Sequence, residues 1–207
     1  LASEVGINIL KKGGNAADAT IAVQFALAVV YPSAGNIGGG GFFVYRSKDG
    51  QCSTLDFREK APLTSTRDMY LDSSNNVIKN LSLYSHLAVG VPGTVDGMVN
   101  IHKKYGQLPW KELVQPAIDL ATNGFELTRL EANKLNRFNK TKGKINKNSE
   151  YYKEHFSEGD SIFLPQLSKT LILIRDHKRA GFYSGETAEM LVKEMSLNGG
   201  KITQQDL

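Results

Sequence analysis

A run of four consecutive glycines at positions 38–41 constrains the fold of this chain more than any other feature. Another glycine precedes it at position 35, and a strand pattern follows directly at 42–47. Glycine loses more backbone entropy on folding than any other residue, so a loop seldom uses four without a steric reason. We therefore expect close backbone approach here. A Cβ at Gly39 or Gly40 should collide with a neighbouring strand or helix, or these glycines should have positive φ.

The segment after the glycines has the pattern of a β-hairpin. Lys48-Asp49-Gly50 separates the strand at 42–47 from a second one at 51–57, because Asp and Gly tolerate the positive φ of a tight turn. Side-chain alternation places Asp56 and Arg58 on one face of the second strand and Phe57 on the other. The hairpin therefore presents a guanidinium at a strand end, beside a compact glycine loop, where it can hold a small anion.

Two nucleotide-binding motifs also contain clustered glycines, and neither fits. The P-loop requires Gly-Lys-Ser/Thr after the glycines, whereas Phe42 follows Gly41 here. The dinucleotide fingerprint lies between a strand and a helix, but this loop has an apolar helix pattern before it and a strand after it. The glycines are better explained by tight packing of strand against helix, together with presentation of a ligand.

Composition sets wide bounds on the kind of protein. The 207 residues are 41% hydrophobic, which is enough for a real core, and suit one domain or part of a larger one. The longest apolar run, 19–30, is too short for a membrane span. The net charge of +4 owes much to a lysine-rich segment at 139–153, which we expect to be a solvated loop without specific nucleic-acid binding. Cys52 is the single cysteine, so an internal disulfide is excluded.

Periodicity predicts a mainly helical chain around this hairpin. One helix is predicted to begin after Asn15 as its N-cap, with Asp18 in its first turn. From 19 to 30 it is apolar on nearly all sides and should be buried at the centre. Asp18, Glu112 and Asp119 are interpreted as helix-end or surface charges. Residues 86–91 are predicted as a short strand, and 62–85 as irregular. The other predicted helices are 2–12, 94–104, 110–122, 129–138, 167–177 and 187–197.

Five sequence blocks in order resemble the large-subunit core of γ-glutamyltranspeptidases, with bacterial members most similar. The central block is G-N-I-G-G-G-G-F at 35–42 followed by D-F-R-E-K-A-P at 56–62. The other four are L-A-S-E-V-G-I-N-I-L-K-K-G-G-N-A-A-D-A at 1–19, A-L-A-V-V-Y-P at 26–32, V-G-V-P-G-T-V-D-G-M at 89–98 and N-G-G-K-I-T-Q-Q-D-L at 198–207. The resemblance implies an α+β fold, the four-layer αββα sandwich of N-terminal nucleophile hydrolases. Residues 1–207 would be a single-domain part of the large subunit, truncated at both ends.

The resemblance also assigns the chemistry residue by residue. Members of this superfamily use the first residue of an autocatalytically cleaved chain as nucleophile. In γ-glutamyltranspeptidases this is a threonine that opens the small subunit, which lies beyond position 207. No catalytic residue is therefore assigned here, and Thr20, Thr94 and Thr203 are not nucleophile candidates. Arg58 matches the arginine that binds the α-carboxylate of the γ-glutamyl group, with Asp56 and Glu59 orienting it. The alternative is that Arg58 forms an ion pair with Asp56 or Glu59 that only fixes the hairpin.

The expected function follows from the same resemblance. The complete enzyme would be a zymogen that cleaves γ-glutamyl amides such as glutathione through a γ-glutamyl-enzyme, and transfers the group to water, amino acids or peptides. Its partners would be these substrates and the small subunit of the same precursor, in the periplasm or secreted, without a cofactor. The four histidines lack metal-ligand spacing, so no metal is expected. Alternatives are a cephalosporin-acylase-like enzyme, a polyglutamate-processing enzyme, or a non-catalytic scaffold of the same fold.

Overall fold

The computed structural model describes residues 1–31, 33–140 and 155–207. Its longer helices are α1 (Ala2–Lys11), α2 (Ala16–Val30), α4 (Thr94–Tyr105), α5 (Trp110–Asn123), α6 (Arg129–Phe138), α7 (Pro165–His177) and α9 (Gly185–Leu197). Two single-turn helices are α3 (Leu81–Tyr84) and α8 (Ala180–Tyr183). The strands are β1 (Phe42–Arg46), β2 (Cys52–Asp56), β3 (Phe125–Glu126) and β4 (Ser161–Ile162).

Helix α2 is the centre of the core, as its all-round apolar sequence predicts. It packs against α1, α4 and α5, and α5 packs in turn against α7. Phe25 on α2 has no exposed surface and meets the ring of Trp110 on α5 edge-on, with ring centres 5.7 Å apart. The alanines of α2 allow the neighbouring helices to approach closely, and the helix thereby fixes the start of the glycine loop that follows it.

The turn between α1 and α2 is locked by a buried acid. Asn15 caps α2 by accepting hydrogen bonds from the backbone N–H groups of Ala17 and Asp18, and Asp18 accepts one from the backbone N–H of Asn15 at 3.0 Å. The Asp18 side chain is fully buried and also accepts from the backbone N–H groups of Gln107 and Leu108. Its position at a helix start was predicted, but its burial was not. Asp18 is therefore a buried hydrogen-bond acceptor that joins two turns, and not a surface charge.

The predicted hairpin is present with its expected face alternation. Strands β1 and β2 pair antiparallel, with Phe42 opposite Asp56 and Phe43 opposite Leu55. Phe43 is buried against the core, whereas Phe42 is 65% exposed. The inner face of the sheet thus rests on α4, and the outer face carries the side chains that precede Arg58.

Several sequence predictions need correction. Residues 86–91 do not form a strand: His86–Ala88 is a 3₁₀ turn, and only Val91 makes a β-bridge, to Lys60. The pair β3–β4 was not predicted, since its two-residue strands are too short to show a period. Within the irregular 62–85 segment, α3 adds one helical turn. Lys140 is exposed as expected, and the other lysines of the 139–153 segment lie outside the described residues.

The described residues thus combine helices with small antiparallel sheets, which confirms the α+β class. None of the helices in these ranges is long and apolar enough to cross a membrane.

Candidate functional site

Arg58 lies on open surface at the end of the hairpin, two residues after β2. Its backbone N–H donates a hydrogen bond of 2.9 Å to Oδ1 of Asp56. Because Asp56 is the last residue of β2, this bond fixes the direction in which the chain leaves the sheet. Asp56 therefore orients Arg58 through the backbone, and not through the guanidinium as the sequence suggested.

The guanidinium of Arg58 contacts an aromatic ring instead of an acid. Its Cζ lies over the ring of Phe42, 5.8 Å from the ring centre. Within residues 1–31, 33–140 and 155–207 it forms no ion pair, so neither Asp56 nor Glu59 neutralises it. The alternative in which an ion pair of Arg58 fixes the hairpin is not what the structure contains. The N–H groups of the guanidinium remain available for an external anion.

Glycines from two loops lie against the backbone from Phe57 to Glu59. A Cβ on Gly40 would collide with the carbonyl oxygen of Phe57 and lie 2.7 Å from Cα of Arg58. A Cβ on Gly93 would strike the same carbonyl. Close approach, as predicted for the glycine run, is thus confirmed at Gly40. At Gly39 a Cβ would meet Oδ1 of Asn36 at 2.6 Å, a loop side chain rather than a neighbouring strand or helix.

A second loop, residues 89–93, completes this packing. The backbone N–H of Gly93 donates to the carbonyl of Gly39 at 2.8 Å, and Val91 exchanges backbone hydrogen bonds with Lys60. A Cβ on Gly90 would lie 2.9 Å from Cβ of Glu59. The sequence showed this glycine-containing block, but not that it lies against the Arg58 segment. A contact between segments more than thirty residues apart has no local signature.

Tyr183 of α8 holds the 89–93 loop from behind. Its hydroxyl donates a hydrogen bond of 2.8 Å to the carbonyl of Pro92, and accepts one from the backbone N–H of Asp96 at 3.3 Å. Burial raises the pKa of Tyr183 to about 12, so its hydroxyl stays protonated. Arg179 pairs with Asp96 at 2.9 Å and covers the Tyr183 ring. The contacts that support the 89–93 loop, against which the Arg58 segment packs, therefore extend to residues 179–183.

The three threonines in the conserved-looking blocks have structural roles. Thr20 donates its hydroxyl to the carbonyl of Ala16 within α2, at 2.8 Å. Thr94 is 1% exposed at the start of α4. Thr203 donates to Asp206 at 2.8 Å and caps the last 3₁₀ turn. The hydroxyl groups of Thr20 and Thr203 are thus used in hydrogen bonds within or at the end of a helix.

The described residues hold no group of three or more His, Cys, Asp and Glu side chains that could bind a metal ion. His86 instead hydrogen-bonds Glu194 at 3.0 Å, and His102 the carbonyl of Leu108 at 2.9 Å. An apolar cavity of about 550 Å³ lies between the end of α2, the loop 33–38 and helix α6, and Arg58 is not among its lining residues.

Comparison with known proteins identifies the family. The family model described as gamma-glutamyltranspeptidase matches residues 2–207. This chain belongs to the γ-glutamyltranspeptidase family. The resemblance carried by the five sequence blocks is thus confirmed over nearly the whole chain, and the blocks lie in the N-terminal, large-subunit part of the family's sequence.

Individual members of the γ-glutamyltranspeptidase family support this at high identity. The chain is 48% identical to a glutathione hydrolase proenzyme of Pseudomonas sp. (strain A14) and 45% identical to that of Escherichia coli (strain K12). All of this chain is aligned in both cases, but only 37% and 36% of those proteins. The chain therefore spans little more than a third of the curated relatives that it matches.

Solved structures of the family have the same fold. The γ-glutamyltranspeptidase of Helicobacter pylori superposes with a TM-score of 0.95 at 46% identity, over 99% of this chain and 60% of that one. A cephalosporin acylase from Bacillus halodurans superposes with a TM-score of 0.82 at 25% identity, over 99% of this chain and 39% of that one. The predicted fold is thereby confirmed, since these helices and the hairpin are one part of the family's α+β sandwich.

Proposed function

We propose that the full-length protein containing this chain is a γ-glutamyltransferase and glutathione hydrolase. The observation that carries the proposal is an unpaired guanidinium at Arg58, in an intact D-F-R-E-K-A-P motif, in a chain 48% identical to a glutathione hydrolase proenzyme. Arg58 would bind the α-carboxylate of the γ-glutamyl donor through two parallel N–H···O bonds. Such a fork fixes the orientation of a carboxylate as well as its charge, which an ammonium cannot do.

The covalent chemistry belongs to a segment outside these 207 residues. A threonine at the start of the small subunit would attack the γ-carbonyl carbon, with its own amine accepting the hydroxyl proton. The amide C–N bond then breaks, and the amine product leaves with a proton. Water or the amine of an amino acid or peptide attacks the resulting ester and releases the γ-glutamyl group. Arg58 holds the far end of the donor throughout, and thereby places the γ-carbonyl at the nucleophile.

The small subunit of the same precursor is proposed as the partner of the outer hairpin face. Phe42 is 65% exposed and Val44 is 77% exposed on that face, beside the guanidinium of Arg58. Adjacent apolar side chains exposed on a sheet are typical of an interaction surface. A partner that covers this face would also deliver its nucleophile next to Arg58. We further propose that residues 1–207 are one domain of the large subunit and that the enzyme acts in the periplasm or is secreted.

The other functions considered have weaker support. Identity to the cephalosporin acylase is 25%, about half of that to the glutathione hydrolase proenzymes. A polyglutamate-processing activity would use the same arginine, because the donor again carries an α-carboxylate. A non-catalytic scaffold would retain Arg58 without any turnover. These alternatives differ in substrate, and so a panel of substrates separates them.

The test is an assay of the full-length protein after autocatalytic cleavage. We expect release of the anilide from a γ-glutamyl anilide and hydrolysis of glutathione, with a faster reaction when an amino-acid acceptor is added. A 4-aminobutyryl anilide, which lacks the α-carboxylate, should be a far poorer donor. Preference for a glutaryl-type cephalosporin or for poly-γ-glutamate would transfer the assignment to one of the alternatives. No turnover of any donor by cleaved protein would contradict the proposal.

A further inference from the structure

The contact between Phe42 and Arg58 has no part in the function proposed above. Phe42 is the first residue of β1, directly after the four glycines, and its ring faces the outer side of the sheet. With 65% of its surface exposed, it contributes little to the core. Its ring lies under the guanidinium of Arg58, with 5.8 Å between Cζ and the ring centre. A contact with the small subunit would account for an exposed apolar side chain at position 42, but not for an aromatic ring beneath the guanidinium.

A ring and a carboxylate hold a guanidinium in chemically different ways. The face of an aromatic ring attracts a cation electrostatically within about 6 Å of its centre. Such a contact provides no oxygen acceptor, so the N–H groups are not used in an ion pair. A carboxylate partner would take two of those five N–H donors and compete with a substrate carboxylate for the same fork. A ring therefore orients the side chain without blocking its binding edge.

The two neighbouring acids, Asp56 and Glu59, do not bind the guanidinium. Oδ1 of Asp56 accepts from the backbone N–H of Arg58, and neither Asp56 nor Glu59 is within ion-pair distance of the guanidinium in the described structure. The backbone of Arg58 is set by Asp56 and by the glycines behind it. Among the described residues, the ring of Phe42 is the group that contacts the cationic end of the side chain.

We propose that Phe42 is a positioning residue that makes this site selective for donors with an α-carboxylate. It acts through Arg58, by holding the guanidinium face so that the N–H edge is directed to the carboxylate. The inference rests on the proposed γ-glutamyl chemistry, because it needs a donor carboxylate for Arg58 to bind. Since the ring acts on binding of a group remote from the scissile bond, its loss should weaken ground state and transition state equally.

The experiment compares variants of the full-length, cleaved enzyme with two donors, a γ-glutamyl anilide and a 4-aminobutyryl anilide. Phe42→Leu removes the aromatic face and keeps an apolar side chain, whereas Phe42→Tyr keeps the ring. Val77→Ala is the control for loss of an exposed apolar side chain, because Val77 lies outside the hairpin and is 76% exposed. We expect Phe42→Leu to raise KM for the γ-glutamyl anilide about two- to fivefold with kcat nearly unchanged. Phe42→Tyr should restore KM, and Val77→Ala should leave it unchanged.

The second donor and a double mutant show whether the effect of Phe42 depends on Arg58 and on the α-carboxylate. KM for the 4-aminobutyryl anilide should not change in Phe42→Leu, and Phe42→Leu should have no further effect in an Arg58→Lys background. An equal loss on both donors would mean that Phe42 serves only to pack against another part of the enzyme, and the same loss in Val77→Ala would mean that the effect is not specific to Phe42; either result overturns the inference. If Phe42→Leu has no effect although Arg58→Lys is selective, only the inference about Phe42 is overturned. If wild-type enzyme does not use γ-glutamyl donors, the proposed function itself has failed.

Discussion

The buried carboxylate of Asp18 and the backbone N–H of Gln107 are joined by a 3.0 Å hydrogen bond across 89 residues of sequence. Asp18 begins α2, and Gln107 lies in the turn between α4 and α5. The same carboxylate also accepts from the backbone N–H groups of Asn15 and Leu108. One acidic side chain thus accepts hydrogen bonds from N–H groups of two turns that are distant in sequence.

Replacement of this acid should therefore be costly for stability. We expect Asp18→Asn to lower the free energy of unfolding by about 2–4 kcal/mol, because the amide retains one acceptor oxygen and directs its own N–H₂ at backbone donors. Urea unfolding of wild type and variant measures the difference. Asp119→Asn, at an exposed helix position where the carboxylate accepts from Gln115, is the control and should change stability by less than about 0.5 kcal/mol. Similar losses in both variants would contradict a special role for Asp18.

The glycine run offers a matched pair of alanine substitutions. Gly40→Ala would force a Cβ into the carbonyl oxygen of Phe57, whereas a Cβ on Gly38 meets no atom within 4 Å. Overpacking of this kind costs about 1–3 kcal/mol or more when backbone has to move. We expect Gly40→Ala to lower the melting temperature and to raise KM for γ-glutamyl donors, and Gly38→Ala to do neither. Two variants with indistinguishable melting curves would show that the close approach is relieved without cost.

Arg58→Lys is the direct test of carboxylate recognition. Lysine keeps the charge but cannot form two parallel hydrogen bonds to a carboxylate. The transition state for a γ-glutamyl anilide should therefore lose about 1.5–3 kcal/mol of stabilisation, which lowers kcat/KM ten- to more than a hundredfold. A donor without the α-carboxylate should be affected much less. Since the guanidinium makes no ion pair with Asp56 or Glu59 in the described structure, the melting temperature should hardly change. Equal losses on both donors would exclude the substrate-binding role.

The isolated chain of residues 1–207 should not turn over γ-glutamyl donors. The threonines within the family's sequence blocks are not expected to act as nucleophiles: Thr20 and Thr203 donate their hydroxyl groups to neighbouring acceptors, and Thr94 is 1% exposed. Incubation of the purified chain with a γ-glutamyl anilide, with denatured chain as blank, measures any release. Turnover above the blank would mean that a nucleophile has been missed within these residues.

Deprotonation of Tyr183 should lower the free energy of unfolding at high pH. Burial raises its pKa from about 10 in the unfolded chain to about 12. Because the folded state favours the protonated phenol, this contribution is complete below pH 10 and is lost as the pH rises to about 12. By linkage it corresponds to about 2–3 kcal/mol at most. The difference in unfolding free energy between wild type and Tyr183→Phe should therefore decrease between pH 10 and 12. A constant difference across that range would contradict the assignment.

Local sequence patterns were sufficient for the seven longer helices of the described residues and for the hairpin. The all-round apolar pattern of α2 predicts its burial, and Gly13 and Gly124 end α1 and α5 with positive φ, as expected for helix stops. The Asp49-Gly50 turn and the alternation of β2 predict the exposed face that carries Arg58. These features depend on neighbours within a few residues, which is the range over which periodicity and capping act.

The features that could not be predicted depend on contacts between distant segments. Val91 resembles part of a strand in the sequence, but it finds a single partner in Lys60, and the preceding residues form a 3₁₀ turn. Asp18 has the sequence environment of an ordinary first-turn acid, and only the return of the chain at Gln107 buries it. Likewise the family motif suggests an arginine for the substrate, but not the ring of Phe42 beneath it.

The glycines packed around Phe57 and Arg58 also bear on how the donor preference of such an enzyme can change. With Gly40, Gly93 and Gly97 in contact with this stretch, its main chain has no space in which to shift. New specificity cannot come from a moved backbone at this point without a collision. A new donor specificity requires substitution of exposed side chains such as those of Phe42 and Arg58. A mutational library aimed at other acyl donors should therefore vary those outer positions and leave the glycines unchanged.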